Sequence, residues 1–157
     1  MRILGIDPGI GRTGWGIIET KNREPRTKNF GCIETFPSDD IPGRLFTLYD
    51  EICHIIDEYK PDALAIEDLF FNTNAKTALI VGQARGVVLL AGSQKNLSIG
   101  IYTPLQVKIA ITGYGRAEKN QVGHMVKTIL KLPRIPKPDD TADALAIALT
   151  HAFTRKA

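Results

Sequence analysis

The stretch ILGIDPGIGRTGWGII, residues 3–18, decides the fold from its first strand onward. Its apolar beginning predicts a buried strand over residues 2–7 that runs directly into the acid Asp7. The glycines and the proline of residues 8–11 predict a turn, and the apolar residues beyond it predict a second strand over 13–20. A carboxylate that abuts a buried strand is costly unless something compensates its charge, so Asp7 is a candidate functional residue.

Two further stretches bring a carboxylate to the edge of an apolar element. Residues 63–66, ALAI, predict a short buried strand that runs into Glu67. A helix predicted over 139–154 begins with acids, and Asp140 and Asp143 share one face because they are three residues apart. Ligands of open α/β sheets gather at the carboxyl ends of the strands, so the acids are expected to converge if this helix crosses the strand ends.

The residue type at these positions predicts a metal site. Carboxylates in close proximity repel one another strongly unless hard cations lie between them. Ligation by oxygen alone favours Mg²⁺, with Mn²⁺ as a substitute, over zinc. Two such ions held close together can clamp the attacking and leaving oxygens of a phosphodiester, so the pattern indicates phosphodiester hydrolysis.

Each acid also has a structural interpretation that requires no metal. Asp7 could simply start a turn, and Glu67 could be a surface acid at a strand end. The acids that open the last helix could cap it or stabilise it through the helix dipole. Asp68 and Asp139 are neighbours that compete for the same roles, and the residues alone do not choose between Asp139 and Asp140.

The other predicted elements complete an α/β fold. Three N-terminal strands are expected to form an antiparallel meander, followed by alternating helices and strands. This order predicts a mixed sheet with helices on both faces, within a single domain spanning residues 1–157. The remaining elements are predicted as a hairpin loop over 21–28, strands over 29–36 and 98–102, helices over 40–59, 74–92, 104–113 and 118–132, and a stiff linker at Pro133, Pro136 and Pro138.

The composition excludes several classes of protein. The chain has 157 residues, of which 43% are hydrophobic and 24% charged, as in ordinary globular proteins. We expect no membrane span, since no apolar run approaches the roughly 20 residues that one needs, and no signal peptide, because a strand begins almost at once. Cys32 and Cys53 lack the spacing of a zinc site and are expected to be buried free thiols, which suits a reducing cytoplasm.

The formal net charge of +3 is unevenly distributed along the chain. Seven basic residues and one acid lie between Pro104 and Lys137, so this segment carries +6 and the remainder carries −3. Such a distribution favours a basic face beside an acidic pocket. The alternative is a helix surface whose lysines are simply solvated.

Four stretches, in this order and spacing, resemble the RuvC-type Holliday-junction resolvases over nearly the whole chain. They are ILGIDPGIGRTGWGII at 3–18, AIEDLFFNTNAKTALIVGQARGVVL at 65–89, TPLQVKIAITGYGRAEKNQVGHMV at 103–126 and DDTADALAIALTH at 139–151. The resemblance implies a ribonuclease-H-like five-stranded sheet, a homodimer, and Mg²⁺-dependent cleavage of four-way DNA junctions. It also implies a branch-migration motor as a partner. Gly82 and Gly86, four apart in one helix, would let another backbone approach, either at a dimer seam or at the sheet.

The resemblance further implies the residues of the site. The metal-binding and catalytic acids of the family correspond to Asp7, Glu67, Asp140 and Asp143, with Mg²⁺ ions expected in a pair. This correspondence selects Asp140 over Asp139. A catalytic role is also implied for Lys119 near the scissile phosphate, where a lysine without the family would be a solvated residue at a helix start. The residues expected to bind DNA are Phe70, Phe71, Lys108, Arg116 and Lys119.

The expected function is therefore the resolution of four-way junctions by paired symmetric nicks that leave a 5′ phosphate and a 3′ hydroxyl. A related ribonuclease-H-like nuclease acting on ribosomal RNA precursors is the first alternative, since it shares the first strand-and-turn motif. An ATP-binding domain of the actin and sugar-kinase type is the second, although 157 residues leave no room for its second large domain. A non-catalytic junction-binding module is the third, and the complete set of acids argues against it.

Overall fold

The computed structural model describes residues 1–68 and 74–155. In this part of the chain, three strands come first, helices and strands then alternate, and three helices come last, as expected of the predicted α/β fold. The strands are β1 (Arg2–Asp7), β2 (Arg12–Lys21), β3 (Glu24–Glu34), β4 (Ala63–Glu67) and β5 (Ser98–Tyr102). The helices are α1 (Ile41–Tyr59), α2 (Ala75–Gln94), α3 (Pro104–Thr112), α4 (Lys119–Ile129) and α5 (Asp139–Thr154).

The strands form one mixed sheet in the order β3-β2-β1-β4-β5. β1, β2 and β3 pair antiparallel, as the predicted meander requires, whereas β4 and β5 run parallel to β1. β4 lies beside β1 with Ile66 opposite Ile6. Asp7 and Glu67 therefore leave the same edge of the sheet from neighbouring strands, and the prediction of a mixed five-stranded sheet is confirmed.

The sheet buries an apolar core on each of its faces. Side chains that alternate along β1 divide between the two cores, because successive residues of a strand point to opposite faces. Ile3 joins the core that α3, α4 and α5 cover, and Leu4 joins the core that α1 and α2 cover. The prediction of helices on both faces is confirmed, and burial on both sides explains the continuous apolar run of β1.

The hairpin between β2 and β3 differs from the predicted loop over 21–28 and strand over 29–36. Both strands continue until only Asn22 and Arg23 remain between them, and both of these residues have positive φ. Two central residues of this kind form a type I′ turn, whose twist matches that of the flanking strands. Pro25 is accommodated within β3 because β3 is an edge strand, where a residue without an N–H is tolerated.

Side-chain caps begin the helices where the sequence predicts them. The carboxylate of Asp40 accepts a hydrogen bond from the backbone N–H of Gly43 at 2.9 Å, and α1 begins at the next residue after this cap. Thr103 and Gln106 form a reciprocal capping box at the start of α3. Gly113 ends that helix with φ +76°, a left-handed conformation that glycine adopts without strain.

α5 lies directly on the sheet because glycines of β1 and β2 leave room for its backbone. A Cβ added to Gly5 would lie 2.1 Å from the carbonyl oxygen of Ala144, and one added to Gly14 would lie 2.0 Å from that of Asp140. At Gly16 an added Cβ would lie 2.5 Å from a side chain of α5. We call Gly5, Gly14 and Gly16 the glycine track. Close packing along this track fixes the height of α5 above the sheet, and with it the acids at the start of the helix.

α2 has an apolar face that the rest of the described chain leaves uncovered. Its Ala84, Val88 and Ala91 are buried in the core beside α1, whereas Leu79 and Leu90 are exposed. By length and composition alone, α2 is also apolar enough to cross a membrane, which differs from the expectation that no segment reaches this criterion. The helix packs on the sheet, and its exposed apolar side chains are available to another protein surface.

Candidate active site

Three carboxylates meet at the edge of the sheet where β1 ends. Asp7 is the last residue of β1, and Asp140 and Asp143 lie in the first two turns of α5. A carboxylate oxygen of each lies within 4.8 Å of the others, and all three side chains are half-buried. The glycine track brings them together, because Asp7 pairs with Gly14 in the ladder and the backbone of Asp140 lies over that glycine.

Glu67 reaches the same region from the neighbouring strand. It ends β4 beside Asp7 but lies outside the group of three carboxylates that fall within 4.8 Å. Together with Asp143, it lines a cavity of about 270 Å³, which we call the cleft. The basic residues of the cleft wall are Lys108 and Lys119, and its apolar residues are Pro104, Val107, Val122, Ala146 and Ile147. The cleft thus combines acids at one end with cations on its wall.

Asp139 lies outside the carboxylate group. Its Oδ1 is 2.8 Å from Nζ of Lys137, and both side chains are exposed. The geometry therefore separates two neighbouring acids that the residues alone leave equivalent. Asp140 belongs to the carboxylate group, whereas Asp139 lies at its outside and pairs with Lys137.

Burial and mutual repulsion weaken these acids in the metal-free protein. Burial first, and then the charges of Asp143 and Glu67, raises the pKa of Asp7 from 3.8 to about 8. Burial also raises the pKa of Glu67 and that of Asp143, where a hydrogen bond from Lys119 opposes the increase. A cation bound among these carboxylates would offset their mutual repulsion. A donor set made of carboxylate oxygens fits a hard divalent cation.

Lys119, the first residue of α4, brings a positive charge to the acids. Its Nζ lies 3.1 Å from Oδ2 of Asp143. Burial by itself lowers the pKa of Lys119, but the hydrogen bond and the charge of Asp143 outweigh it, and the pKa is raised. The ammonium group therefore remains charged at neutral pH, and with 63% of the side chain exposed it is accessible to an anion in the cleft.

Arg85 of α2 holds the strand end that carries Glu67. Its Nε–H donates a hydrogen bond to the backbone oxygen of Glu67 at 3.4 Å, and its Nη2 lies 3.5 Å from Oδ1 of Asp68. The sequence pattern alone indicates no role for this arginine. The available signal is a basic residue, here 19% exposed, in the middle of a mostly apolar helix. Arg85 contacts the backbone at the strand end that carries Glu67 and is therefore a positioning residue.

The residues expected to bind DNA lie in different parts of the chain. Lys108 of α3 and Lys119 of α4 line the cleft together. Arg116 is exposed in the loop that joins these two helices. Phe70 and Phe71 lie outside the described residues. The structure thus brings two of the five predicted DNA-binding residues to the carboxylates.

The stability of the metal-free protein is expected to fall as the pH rises from about 4 to about 8. The folded protein keeps a proton on Asp7, whose pKa is about 8, over a range in which the unfolded chain has released it at its ordinary value of 3.8. The folded state thus binds more protons, so the free energy of unfolding decreases with pH. Denaturant unfolding in EDTA at about pH 5 and about pH 8 measures this decrease.

Asp7→Asn is the matched variant for this measurement, because it removes the titration of Asp7. Burial lowers the pKa of His151, which gives a contribution of opposite slope in both proteins. The difference between the two profiles therefore reports the titration of Asp7 together with that of the acids coupled to it. Parallel profiles for the two proteins would contradict a buried, protonated Asp7.

A mixed sheet in this strand order, with three acids meeting where β1 ends and a fourth at the neighbouring end of β4, has the ribonuclease-H-like architecture. Residues 3–151 match the family model described as crossover junction endodeoxyribonuclease RuvC. The chain belongs to the RuvC family. The expectation that the four sequence motifs raised is thereby confirmed.

Individual relatives agree with this assignment over nearly their full lengths. The crossover junction endodeoxyribonuclease RuvC of Caldicellulosiruptor saccharolyticus is 59% identical, over 98% of this chain and 93% of the relative. That of Desulforamulus reducens is 54% identical, over 97% and 93%. The solved structure of T. thermophilus RuvC in complex with Holliday junction substrate is 38% identical, with a TM-score of 0.93 and coverage of 98% and 93%. These relatives give no support to the alternative of a ribosomal RNA nuclease.

Proposed function

We propose that this protein resolves four-way (Holliday) DNA junctions in recombination and repair by hydrolysing one phosphodiester in each of two opposed strands. The observation that carries the proposal is the carboxylate group of Asp7, Asp140 and Asp143, in a chain 38% identical to a protein solved with Holliday junction substrate. Each cut would leave a 5′ phosphate and a 3′ hydroxyl that can be religated. We also propose a branch-migration motor as a partner, as the family resemblance suggests, and the cytoplasm as the location, which suits the two free cysteines.

Asp7, Asp140 and Asp143, together with Glu67, are the proposed ligands of Mg²⁺, for which Mn²⁺ would substitute, with two ions in each site. Bound there, the cations would supply an activated water and neutralise charge on the leaving oxygen. Glu67 occupies the neighbouring strand end and lines the cleft into which the phosphate would enter. Since carboxylates bind metal only when ionised, the raised pKa values of Asp7, Glu67 and Asp143 in the metal-free state predict that metal affinity increases with pH.

Lys119 and Lys108 are the proposed contacts of the scissile phosphate. The ammonium group of Lys119 pairs with Asp143 at 3.1 Å, and it can transfer this hydrogen bond to a phosphate oxygen when the acid binds a cation. A fixed cation beside the phosphate stabilises the negative charge that develops during hydrolysis. Arg116 is proposed to contact the DNA backbone outside the cleft, and Phe70 and Phe71 to stack on unpaired bases at the junction centre.

Paired symmetric nicks require two related catalytic sites, so we propose a homodimer. The exposed face of α2 supplies a surface for it, since Leu79, Gln83, Gly86 and Leu90 recur there at spacings of four, three and four residues. A Cβ added to Gly86 would meet nothing within 4 Å, so a second backbone can approach at this position. This face is apolar at both ends and open in the middle, as expected of a helix seam.

The edge strand β5 extends this apolar surface. Ile99 and Ile101 are both exposed and share one face of the strand. This is the face of the sheet on which α2 packs, because Cδ1 of Ile99 would lie 3.6 Å from a Cβ added to Gly92 of that helix. The proposed seam therefore comprises the outer face of α2 and the adjoining side chains of β5.

Leu90→Glu is expected to convert the proposed dimer into a monomer. A charge placed in a desolvated interface costs about 2 kcal/mol or more, which is about a 30-fold weaker dimer. Sedimentation equilibrium measures the change. Leu105→Glu is the control, because Leu105 is an exposed leucine on α3, across the sheet from α2. Retention of the dimer by Leu90→Glu, or its loss by both variants, would rule out this seam.

The proposed function is tested by incubating the protein with a synthetic four-way junction and Mg²⁺. The expected products are symmetric nicks in two opposed strands, and the same conditions should leave a linear duplex of the same sequence uncut. A structured ribosomal RNA precursor serves as the competing substrate. Cleavage of the RNA with an intact junction would overturn the proposal in favour of the alternative nuclease.

A further inference from the structure

The site described above does not use all basic residues of the chain. Seven lie between Pro104 and Lys137, and three of them belong to the proposed DNA-binding set. No acid lies at positions 119–138, so the remaining four meet no opposite charge within this stretch of the sequence. These four residues are Lys127, Lys131, Arg134 and Lys137. Lys131, Arg134 and Lys137 lie on the segment that joins α4 to α5.

This segment, residues 130–138, which we call the linker, is held against α4. Its three prolines restrict the backbone, and Pro136 is buried. Ile135 packs over Gly123 of α4, where an added Cβ would lie 3.2 Å from Ile135 Cγ2. Glycine within a helix costs about 1 kcal/mol relative to alanine, and the close approach of the linker explains its presence there. The basic side chains of the linker are therefore presented by a fixed backbone.

The linker ends at the rim of the cleft. Nζ of Lys137 lies 2.8 Å from Oδ1 of Asp139, and the next residue, Asp140, belongs to the carboxylate group. Nζ of Lys119 lies 3.1 Å from Oδ2 of Asp143 on the same end of α5. Lys119 and Lys137 thus both stand beside the end of α5 that carries the acids.

We propose that Arg134 and Lys137 form a second phosphate-binding surface, which holds the backbone of a duplex arm where it leaves the cleft. This inference rests on the proposed function and extends it by naming the part of the junction that lies beside α4. A polyanion fits because Arg134 has no ion pair with any described residue and can bind phosphate through two parallel hydrogen bonds. The pair between Lys137 and Asp139 is exposed, with 73% of the lysine side chain accessible, and such pairs contribute little. A phosphate can therefore replace the carboxylate at small cost.

The salt dependence of junction binding tests this surface in the full-length protein. Each phosphate contact on duplex DNA contributes about 0.9 to the slope of log K against log salt. The double variant Arg134→Gln/Lys137→Gln is therefore expected to bind a synthetic four-way junction more weakly, with a slope reduced by about 1.8. Fluorescence anisotropy in EDTA measures binding without cleavage.

Lys21→Gln/Lys60→Gln is the matched control, because it removes the same charge at the opposite edge of the sheet. Lys21 ends β2, and Lys60 follows α1 shortly before β4 begins. This control is expected to keep the slope of the original protein. Equal slopes in all three proteins, or equal reductions in both double variants, would overturn the linker surface. Absence of junction binding by the unsubstituted protein would instead refute the proposed function, so the two failures are distinguishable.

Discussion

Asp7→Asn is expected to reduce junction cleavage by more than roughly 10²-fold, since even substitutions outside the ligand shell of a metal site cost 10–100-fold. Asp7 occupies the centre of the acidic group, where the charges of Asp143, Glu67 and Asp140 all act on it. An amide keeps the shape of the side chain but removes the negative charge that a hard cation requires. Single-turnover cleavage of a labelled four-way junction measures the loss.

The same substitution is expected to stabilise the metal-free protein at about pH 8. Ionised Asp7 is costly there, because burial and the neighbouring acids oppose its charge, and asparagine removes that cost. Added Mg²⁺ should raise the melting temperature of the original protein more than that of the variant. A gain in stability together with a loss of activity distinguishes a metal ligand from a residue that only supports the fold.

Asp139→Asn is the control for both measurements. Asp139 is the adjacent acid on the same helix end, but it pairs with Lys137 and lies outside the carboxylate group. We expect this variant to cleave within a few-fold of the original protein and to show no gain in metal-free stability. Full activity of Asp7→Asn, or equal losses in the two variants, would refute the metal-site assignment.

Gly14→Ala is expected to cause the second-largest loss, through the position of α5. The added Cβ would lie 2.0 Å from the carbonyl oxygen and 2.3 Å from the carbonyl carbon of Asp140. These are backbone atoms, so α5 must move away from the sheet, at a cost of about 1–3 kcal/mol for overpacking. Because a displacement of about 1 Å can cost 10²-fold in rate, activity should fall further than stability predicts. Thermal melting and the junction assay measure the two effects.

Gly11→Ala separates this steric effect from the general cost of replacing a glycine. Gly11 lies in the loop that follows Asp7, and an added Cβ there would meet only Nη2 of Arg44 at 3.9 Å, an ordinary contact. We expect near-normal cleavage from this variant. Wild-type activity in Gly14→Ala would show that α5 does not depend on the glycine track.

The sequence predicts the strands and the acids at their ends because burial on both faces leaves a strong apolar signal. The continuous runs before Asp7 and Glu67 are central parallel strands, and their register places the two acids side by side. The edge strand β3 is harder to predict from sequence, because Asn22 and Arg23 do not form a common hairpin dipeptide and Pro25 is typical of a loop. Edge strands tolerate residues that a central strand would exclude.

The convergence of α5 with the strand ends could not be predicted from the pattern alone. The sequence pattern of residues 3–18 predicts a role in turns for its glycines, whereas Gly5, Gly14 and Gly16 act as contacts for a helix more than 120 residues further along the chain. Because glycine has no side chain, its role as a helix contact leaves no signal in the apolar periodicity of the sequence. The choice between Asp140 and Asp139 likewise cannot be read from the apolar pattern, because it depends on which of the two residues lies over Gly14.

The position of α5 at residues 139–154 also has a consequence during synthesis. A chain that the ribosome has released only as far as the linker holds Asp7 and Glu67 but not Asp140 or Asp143. The sheet of such an intermediate can pair its strands, yet its glycine track has no helix to receive and its two acids remain too few to hold a pair of cations. DNA-cutting ability would then appear in a single step at the end of folding. A partly synthesised copy of this protein would therefore lack the proposed metal site.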